Sequence, residues 1–351
     1  MRTTRFITYA EFSRQLEGVS KEFSRIELGK SEANRSIYGL KIGKGSTRIM
    51  AWSQMHGDEP TSTRVLLEFM RLISDQKELL SKFSFFFIPM LNPDGAENCT
   101  RTNGRGVDLN RDFLEEQACE TRLLKQWIKS FEPDLCFNMH DQRSIFAVNE
   151  WDAAFSMLAP SPDSQRSYSE KRLYSAGFLS AMSRQLENPP QGWAIGRFDD
   201  TFYPAAFGDN LMRDEIANVL FEFGHIPGDY NREFSPEFFS RAWLLAMKDW
   251  NPDQETPDGY HAISLQEKRY VDLKVSFKDG CEVYGDNYFL LVGKRADDHY
   301  DWAFRAFEPE FKPIPRYEYT AESPLNPIDK SEDHTVLHFE DGTKITPENF
   351  I

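Results

Sequence analysis

A chain of 351 residues is long enough for one large domain plus a small one, since single hydrophobic cores stop growing beyond roughly 250–300 residues. Its net charge of −15, from 56 acidic and 41 basic residues, excludes the basic face that nucleic-acid phosphates require and disfavours acidic polymers as substrates. No stretch approaches the roughly 20 apolar residues of a membrane span, the N-terminus lacks a signal-peptide apolar run, and Cys99, Cys119, Cys136 and Cys281 show no C-x-x-C spacing, so free thiols and a cytoplasmic, reducing location are expected.

In chain order, residues 9–21 predict a short helix, and residues 23–28 and 36–42 predict strands, the second ending in a turn at Gly43–Ser46. The apolar strand 47–54 runs into a helix opening at Pro60, whose missing N–H suits the first helical position. Val65, Leu66, Phe69, Met70 and Ile73 hold a helical spacing within 61–80. Residues 83–90 form a second apolar strand, followed by a turn at Asn92-Pro93-Asp94-Gly95. A helix over 115–131 buries Leu123, Leu124, Trp127 and Ile128, and 135–139 is a buried strand entered through Glu132-Pro133-Asp134. Residues 159–169 read as a loop, 173–186 as a helix, 218–224 as an apolar strand and 238–250 as a strong helix. Strands alternating with helices imply an α/β fold, a mixed, mostly parallel sheet flanked by helices. Residues 251–259 are polar and turn-rich, a linker. Beyond them, 270–277, 282–292 and 335–339 predict strands, with turns at Asp279-Gly280 and Asp341-Gly342. The expected organisation is a large domain over 1–255 and a small β-rich domain over 256–351.

Chemistry concentrates in a few short segments. His56 and Glu59 sit three apart where the strand 47–54 meets its helix, a turn that can aim both side chains at one point. Zinc accepts imidazole nitrogen and carboxylate oxygen at about 2.0–2.2 Å and keeps an open position in catalytic sites. An isolated H-x-x-E pair is common, so a third ligand is needed. His140 ends the strand 135–139, and ligands of open α/β sheets gather at the carboxyl ends of strands. Arg111, inside Asp108-Leu109-Asn110-Arg111, offers a planar fork that matches a carboxylate bidentately and stays charged at any working pH. Glu222 interrupts an apolar strand, and a buried carboxylate is costly unless paired or placed at a site.

These segments, H-x-x-E at 56–59, Asn-Pro-Asp-Gly at 92–95, Arg101, Asp-Leu-Asn-Arg-Asp-Phe at 108–113, His140 and Glu222, occur in the order of the zinc carboxypeptidase family, which the chain resembles over residues 30–225. The resemblance implies a zinc carboxypeptidase-like fold and a Zn2+ cofactor held by His56, Glu59 and His140. It implies Arg101 as the group holding the oxyanion, Asn110 and Arg111 as the clamp on the substrate's terminal carboxylate, and Glu222 as the general base and acid. Tyr203, in Phe202-Tyr203-Pro204, resembles the tyrosine that closes over the substrate, and Asp209 is expected in the pocket for the terminal side chain, favouring a basic or amino-bearing one. Two residues depart from the family pattern. Asp112 stands where Asn is common and Asp141 where Ser is common, adding negative charge beside the metal, with Asp141 expected to bond a ligand histidine or repel an acidic substrate.

The function expected is hydrolysis of a peptide or peptide-like amide next to a free C-terminal carboxylate, with cell-wall-derived peptides as one substrate class and no nucleic-acid or membrane partner. The rival reading is an amidohydrolase of the succinylglutamate desuccinylase and aspartoacylase kind, which shares H-G-x-E, an Asn-Arg pair and a small β domain. The Asn92-Pro93-Asp94-Gly95 and Tyr203-Pro204 segments favour the peptidase. A binding protein on the same fold is the third reading, and retention of every ligand and of Glu222 argues against it.

Overall fold

A computed structural model describes every residue except Met1, Arg2, Ser20, Asn188, Pro190, Gln191, Gly280, Cys281 and Asp298. Strands β1 (Ser24–Lys30), β2 (Ser36–Gly43), β3 (Thr47–Ser53), β4 (Phe83–Ile88), β5 (Leu135–Asp141), β6 (Phe146–Val148), β7 (Trp151–Leu158), β8 (Trp193–Arg197), β9 (Asn218–Phe223) and β10 (Glu267–Lys268) form one sheet. Their order is β1-β2-β4-β3-β5-β9-β7-β6-β10, with β8 beside β7. Pairing is parallel along β4-β3-β5-β9 and between β7 and β8, and antiparallel elsewhere. The sheet is therefore mixed, with parallel pairing dominant only at its centre. The antiparallel side is the part that periodicity does not reveal: β7 is buried along both faces and shows no apolar–polar alternation.

Helices α1 (Tyr9–Glu17), α2 (Pro60–Ser74), α3 (Lys77–Lys82), α4 (Pro93–Asn98), α5 (Cys119–Phe131), α6 (Glu170–Arg184), α7 (Phe207–Arg213), α8 (Ser235–Asp249) and α9 (Asp258–His261) accompany the sheet. The twofold period of each strand splits its side chains between two cores. Ile49, Ala51, Phe85, Phe87 and Phe137 join α2, α6 and α8 on one face, where Phe69 stacks on Trp243 at 3.8 Å. Met50, Trp52, Phe86 and Cys136 join α5 and α7 on the other, with Trp52 lying 5.8 Å from Phe207. Aromatics pack against β3, β5 and β9, at whose carboxyl ends the candidate site is built.

Several helix boundaries differ from the periodicity. The helix expected over 61–80 stops at Ser74, because Ile73 is the last residue on the apolar stripe and the Asp75 N–H closes on the Ile73 carbonyl. Chain 77–82 then turns so that the Leu80 carbonyl accepts the Lys44 N–H. The helix expected from 115 begins at Cys119, because Asp112 accepts the N–H groups of Gln117 and Ala118 and closes the preceding residues into a turn. The Asn92-Pro93-Asp94-Gly95 turn is the start of α4, capped by the Asn92 side chain accepting the Gly95 N–H at 2.8 Å.

The β-rich C-terminal region carries a second sheet of β11 (Tyr270–Asp279), β12 (Glu282–Arg295), β13 (Tyr300–Phe307), β14 (Ile314–Ala321) and β15 (Asp333–His334), in the order β14-β11-β12-β13-β15. Asp279 pairs with Glu282 across the expected turn, whereas its Gly280 and the thiol expected at Cys281 lie outside the described residues. The strand expected over 335–339 shortens to β16 (Leu337–His338), paired with β17 (Lys344–Ile345). The core of this region takes in Phe6 from the N-terminal arm and Cys99 and Tyr230 from the first layer. A side chain at Gly293 would bring its Cβ within 2.4 Å of the Phe6 ring, so this strand position requires glycine. Asp272 ties the layers together, accepting from Ser144 Oγ, Tyr230 Oη and the Leu291 N–H. Cys99, Cys119 and Cys136 are free thiols, and among the described residues no helix is long and apolar enough to cross a membrane.

Candidate metal centre and active-site cleft

His56 leaves the end of β3, Glu59 is the last residue before α2, and His140 lies near the end of β5, beside β3. Gly57 lets this turn pack directly on α4: a Cβ there would fall 1.8 Å from the Gly95 carbonyl carbon. The Asn92 Nδ2 donates to the Met55 carbonyl and the Gln54 Nε2 to the Gly57 carbonyl, so the Asn-Pro-Asp-Gly segment acts as the clamp on the His56 turn.

The three side chains converge. His56 Nδ1 and His140 Nδ1 are 3.2 Å apart, and each is 2.8 Å from one oxygen of the Glu59 carboxylate. One donor atom from each residue lies within 4.8 Å of the others. Both histidines are buried, at 2% and 1% exposure, His140 Nε2 has no hydrogen-bond partner, and the Glu59 carboxylate opens to the cleft. Two nitrogens and a carboxylate oxygen around one point are a donor set that zinc takes, and the residues present fit it. Burial opposes a charged His56, but Glu59 and Asp108 outweigh it and raise its pKa to about 9. Burial likewise pushes the Glu59 carboxyl up, and His56 and His140 together hold it well below its ordinary value. His140 is lowered by burial against the pull of Glu59. Glu59 and Asp108 thus supply the negative charge that a proton on His56, or a metal cation in its place, compensates.

Asp108 supports this centre from outside, a role that the Asp-Leu-Asn-Arg segment does not reveal by itself. Its Oδ1 is 3.2 Å from His56 Nε2, and its Oδ2 accepts from Arg101 Nε at 2.8 Å. One carboxylate therefore sets the orientation of a ligand ring and of the neighbouring guanidinium, whose Nη1 lies 3.7 Å from Glu59. The signal available in the sequence was its place two residues before Asn110.

Glu222 stands beside His140 in the β5–β9 register, on a strand between β5 and β7 and so not at a sheet edge. Its neighbours Phe221 and Phe223 pack into the core, and the alternation turns Glu222 to the cleft, where it lines a cavity of about 530 Å3 with Glu59, Arg101 and Arg111. Burial raises its pKa well above the ordinary carboxylate value, and Glu59 and Asp141 push it further against the opposing Arg101.

The Asn110, Arg111, Tyr203 and Asp209 side chains form a second group. The Arg111 guanidinium lies over the Tyr203 ring at 4.6 Å. The Asn110 Oδ1 accepts the Phe207 N–H at the start of α7, and an Asp209 oxygen accepts the Tyr203 N–H at 3.0 Å. Asp209 is 7% exposed and sits outside the cavity lining, and burial pushes its pKa up to about 6. Asn110 and Asp209 thereby shape the loop that carries Tyr203.

The two departures from the family pattern are explained by capping. Asp112 closes the turn before α5, away from the metal residues. The Asp141 carboxylate accepts the Thr61 and Ser62 N–H groups at the α2 N-terminus, at 2.8 and 2.7 Å, and its own N–H donates to Glu59 Oε2. It bonds neither ligand histidine. Its charge is spent on the helix terminus and on Arg5, 3.5 Å away.

A sequence model of the zinc carboxypeptidase family matches residues 9–209. Carboxypeptidase 2 of Trichophyton rubrum is 29% identical over 153 residues, covering 39% of this chain and 28% of that protein. Carboxypeptidase E of Caenorhabditis elegans is 32% identical over 155 residues, 36% of this chain and 33% of that protein. The matched part thus spans about a third or less of these relatives. Among solved structures, the metallo-carboxypeptidase of Burkholderia cenocepacia superposes with a TM-score of 0.57 at 16% identity, over 70% of this chain and 69% of that one. That of Pseudomonas aeruginosa, in complex with (2-guanidinoethylmercapto)succinic acid, superposes with a TM-score of 0.54 at 18% identity, over 69% and 68%. These likenesses establish the fold, the family model spans more than half of the chain, and the chain belongs to the zinc carboxypeptidase family.

Proposed function

We propose that the protein is a zinc-dependent carboxypeptidase that hydrolyses the peptide or amide bond next to a free C-terminal carboxylate. The observation that carries the reading is the gathering of His56, Glu59 and His140 with Arg101, Arg111 and Glu222 around one cleft. His56 and His140 through their Nδ1 atoms and Glu59 through its carboxylate would hold the metal. Bound zinc supplies Lewis acidity, polarising the scissile carbonyl and lowering the pKa of water.

The chain's own groups do the rest. Glu222 takes a proton from the attacking water and returns it to the leaving amine, and its raised pKa suits both halves of that task. Arg101, oriented by Asp108, donates to the oxygen that gains charge as the carbonyl is attacked. Arg111 and the Asn110 amide meet the terminal carboxylate, with Tyr203 packed against Arg111 as the wall on that side.

The test is mass spectrometry of products from zinc-loaded protein offered peptides with free C-termini, the same peptides amidated, muropeptides and N-acyl amino acids. Release of a terminal residue from free-acid peptides alone is the expected result. Preferential cleavage of muropeptides would point to cell-wall-derived peptides as the substrate class, and cleavage confined to N-acyl amino acids would transfer the chain to the amidohydrolase reading.

A further inference from the structure

The cleft gathers cations in an acidic molecule. In a chain of net charge −15, the cavity is lined by six arginines, Arg5, Arg101, Arg111, Arg143, Arg232 and Arg305, against four carboxylates. Four of these arginines are engaged by the protein. Arg5 faces Asp141, Arg101 binds Asp108, Arg305 makes a two-pronged pair with Asp333, and Arg232 donates to the Phe223 and Gln142 carbonyls. Among the described residues, Arg111 and Arg143 have no ion-pair partner.

Both line the cavity beside Glu59. Arg111 lies over Tyr203, and the guanidinium acts on Asp209. Arg143, three residues beyond His140, has Arg101, Asp58, Arg305 and Glu59 as its charged neighbours. Because Arg101 and Glu59 are among the charged neighbours of Arg143 in one cavity, a substrate whose scissile carbonyl is at Arg101 has its adjoining residues in the space that Arg143 also lines. The wall there comes from the β-rich region, through Leu290, Leu291 and Val292 of β12 and through Arg305 of β13. The Arg143 side chain reaches solvent in the cleft while its guanidinium is partly desolvated, and Arg101, Arg143 and Arg305 face two carboxylates there, Glu59 and Asp58, whose Oδ1 is itself unpartnered. Burial and the cations of Arg101 and Arg305 make the charged form of Arg143 less comfortable than usual, which an incoming anion would relieve.

We propose that Arg143 is a specificity residue that receives an acidic side chain on the residue immediately N-terminal to the scissile bond, so that the preferred substrates are short peptides carrying a carboxylate at the penultimate position. The inference rests on the carboxypeptidase reading above. A second charged hydrogen bond of this kind adds roughly tenfold or more to kcat/KM.

The experiment uses zinc-loaded full-length protein and acetylated tripeptides differing only at the penultimate residue, Glu, Gln or Lys, with the terminal residue that the substrate panel selects. The wild type is expected to prefer Glu over Gln by at least about tenfold, chiefly through KM, and to discriminate further against Lys. Arg143→Gln is expected to bring the Glu-to-Gln ratio close to one, and Arg143→Lys to restore part of it. Turnover of the three peptides at equal efficiency, or an unchanged ratio in Arg143→Gln, would overturn the inference and leave the carboxypeptidase reading standing. Turnover of no peptide at all would overturn both.

Discussion

Asp108 lies beside His56 and Glu222 beside His140, and their surroundings assign these two acidic side chains opposite duties. Asp108 is held ionised: burial raises it, but the His56 and Arg101 contacts pull it well below the ordinary range. A permanently ionised carboxylate on His56 Nε2 fixes the ring so that Nδ1 faces the metal position, and losing such a partner typically costs 10–100-fold in metal affinity. Asp108→Ala is expected to weaken zinc binding by about that factor in a competition titration against a chelator. Glu222 has no positive partner to match the burial, and it stays available to exchange a proton. Glu222→Gln preserves shape and is expected to bind zinc within a few-fold of the wild type while kcat falls roughly 10²–10⁴-fold. Full activity in that variant would remove Glu222 from the mechanism.

Helix termini organise the site above the level of single side chains. The α2 N-terminus carries Glu59, and its first N–H groups are satisfied by Asp141 from the neighbouring strand β5, so the strand that supplies His140 also anchors the helix next to the second ligand. Asp141→Ala leaves two buried N–H groups unpaired and is expected to cost about 1–3 kcal/mol in urea unfolding together with a loss of zinc affinity. Asp112→Ala, which opens the turn before α5, is expected to lower stability and leave zinc affinity unchanged. The segment running into α7 has a pH dependence of its own. Asp209 carries a pKa of about 6 in the fold, above its unfolded value, so the folded state holds the proton more tightly. Its stabilising effect is complete below about pH 4 and is lost as the pH rises to about 6, a difference of up to about 3 kcal/mol. Asp209→Asn removes that titration while keeping an acceptor for the Tyr203 N–H. The melting temperature of the variant should therefore gain on the wild type across that interval, and parallel curves would show that Asp209 does not titrate there.

Across the whole molecule, the β-rich region and the first layer form a joint core and share the wall of the cleft. Phe6, Cys99 and Tyr230 pack among Leu273, Phe289 and Trp302, and β10 continues the main sheet before the chain enters β11. Asp272 is the polar centre of this contact, accepting three hydrogen bonds with the Arg316 guanidinium 3.6 Å away. Asp272→Ala would leave the Ser144 and Tyr230 hydroxyls and the Leu291 N–H without their acceptor, while Arg316 keeps its pair with Asp152, and is expected to cost about 1–3 kcal/mol, read as a fall in the urea midpoint. Zinc acts on the same equilibrium by binding only the folded site. At a free concentration 100 times its Kd it is expected to add about 2.7 kcal/mol, and chelation to lower the melting temperature accordingly.

The His56–Glu59 pair and the Asp108–Arg111 segment were legible as candidates in the primary structure because their chemistry is local. His56 and Glu59 sit on one strand-to-helix turn, and Asp108 to Arg111 within four residues, so short-range spacing carries the information. The central strands were legible for a related reason: buried on both faces, 47–54, 83–90 and 135–139 read as continuous apolar runs. The capping duties of Asp112 and Asp141, the inward fold of Asp209 and the antiparallel side of the sheet were not legible, because each depends on a backbone N–H or a strand edge far away in the chain. A carboxylate looks the same in a sequence whether it faces a metal or a helix terminus, and only packing chooses between them. The basic cleft belongs to this second kind, since its arginines come from the N-terminal arm, from the first layer and from β13, and their local excess is invisible in a net charge of −15.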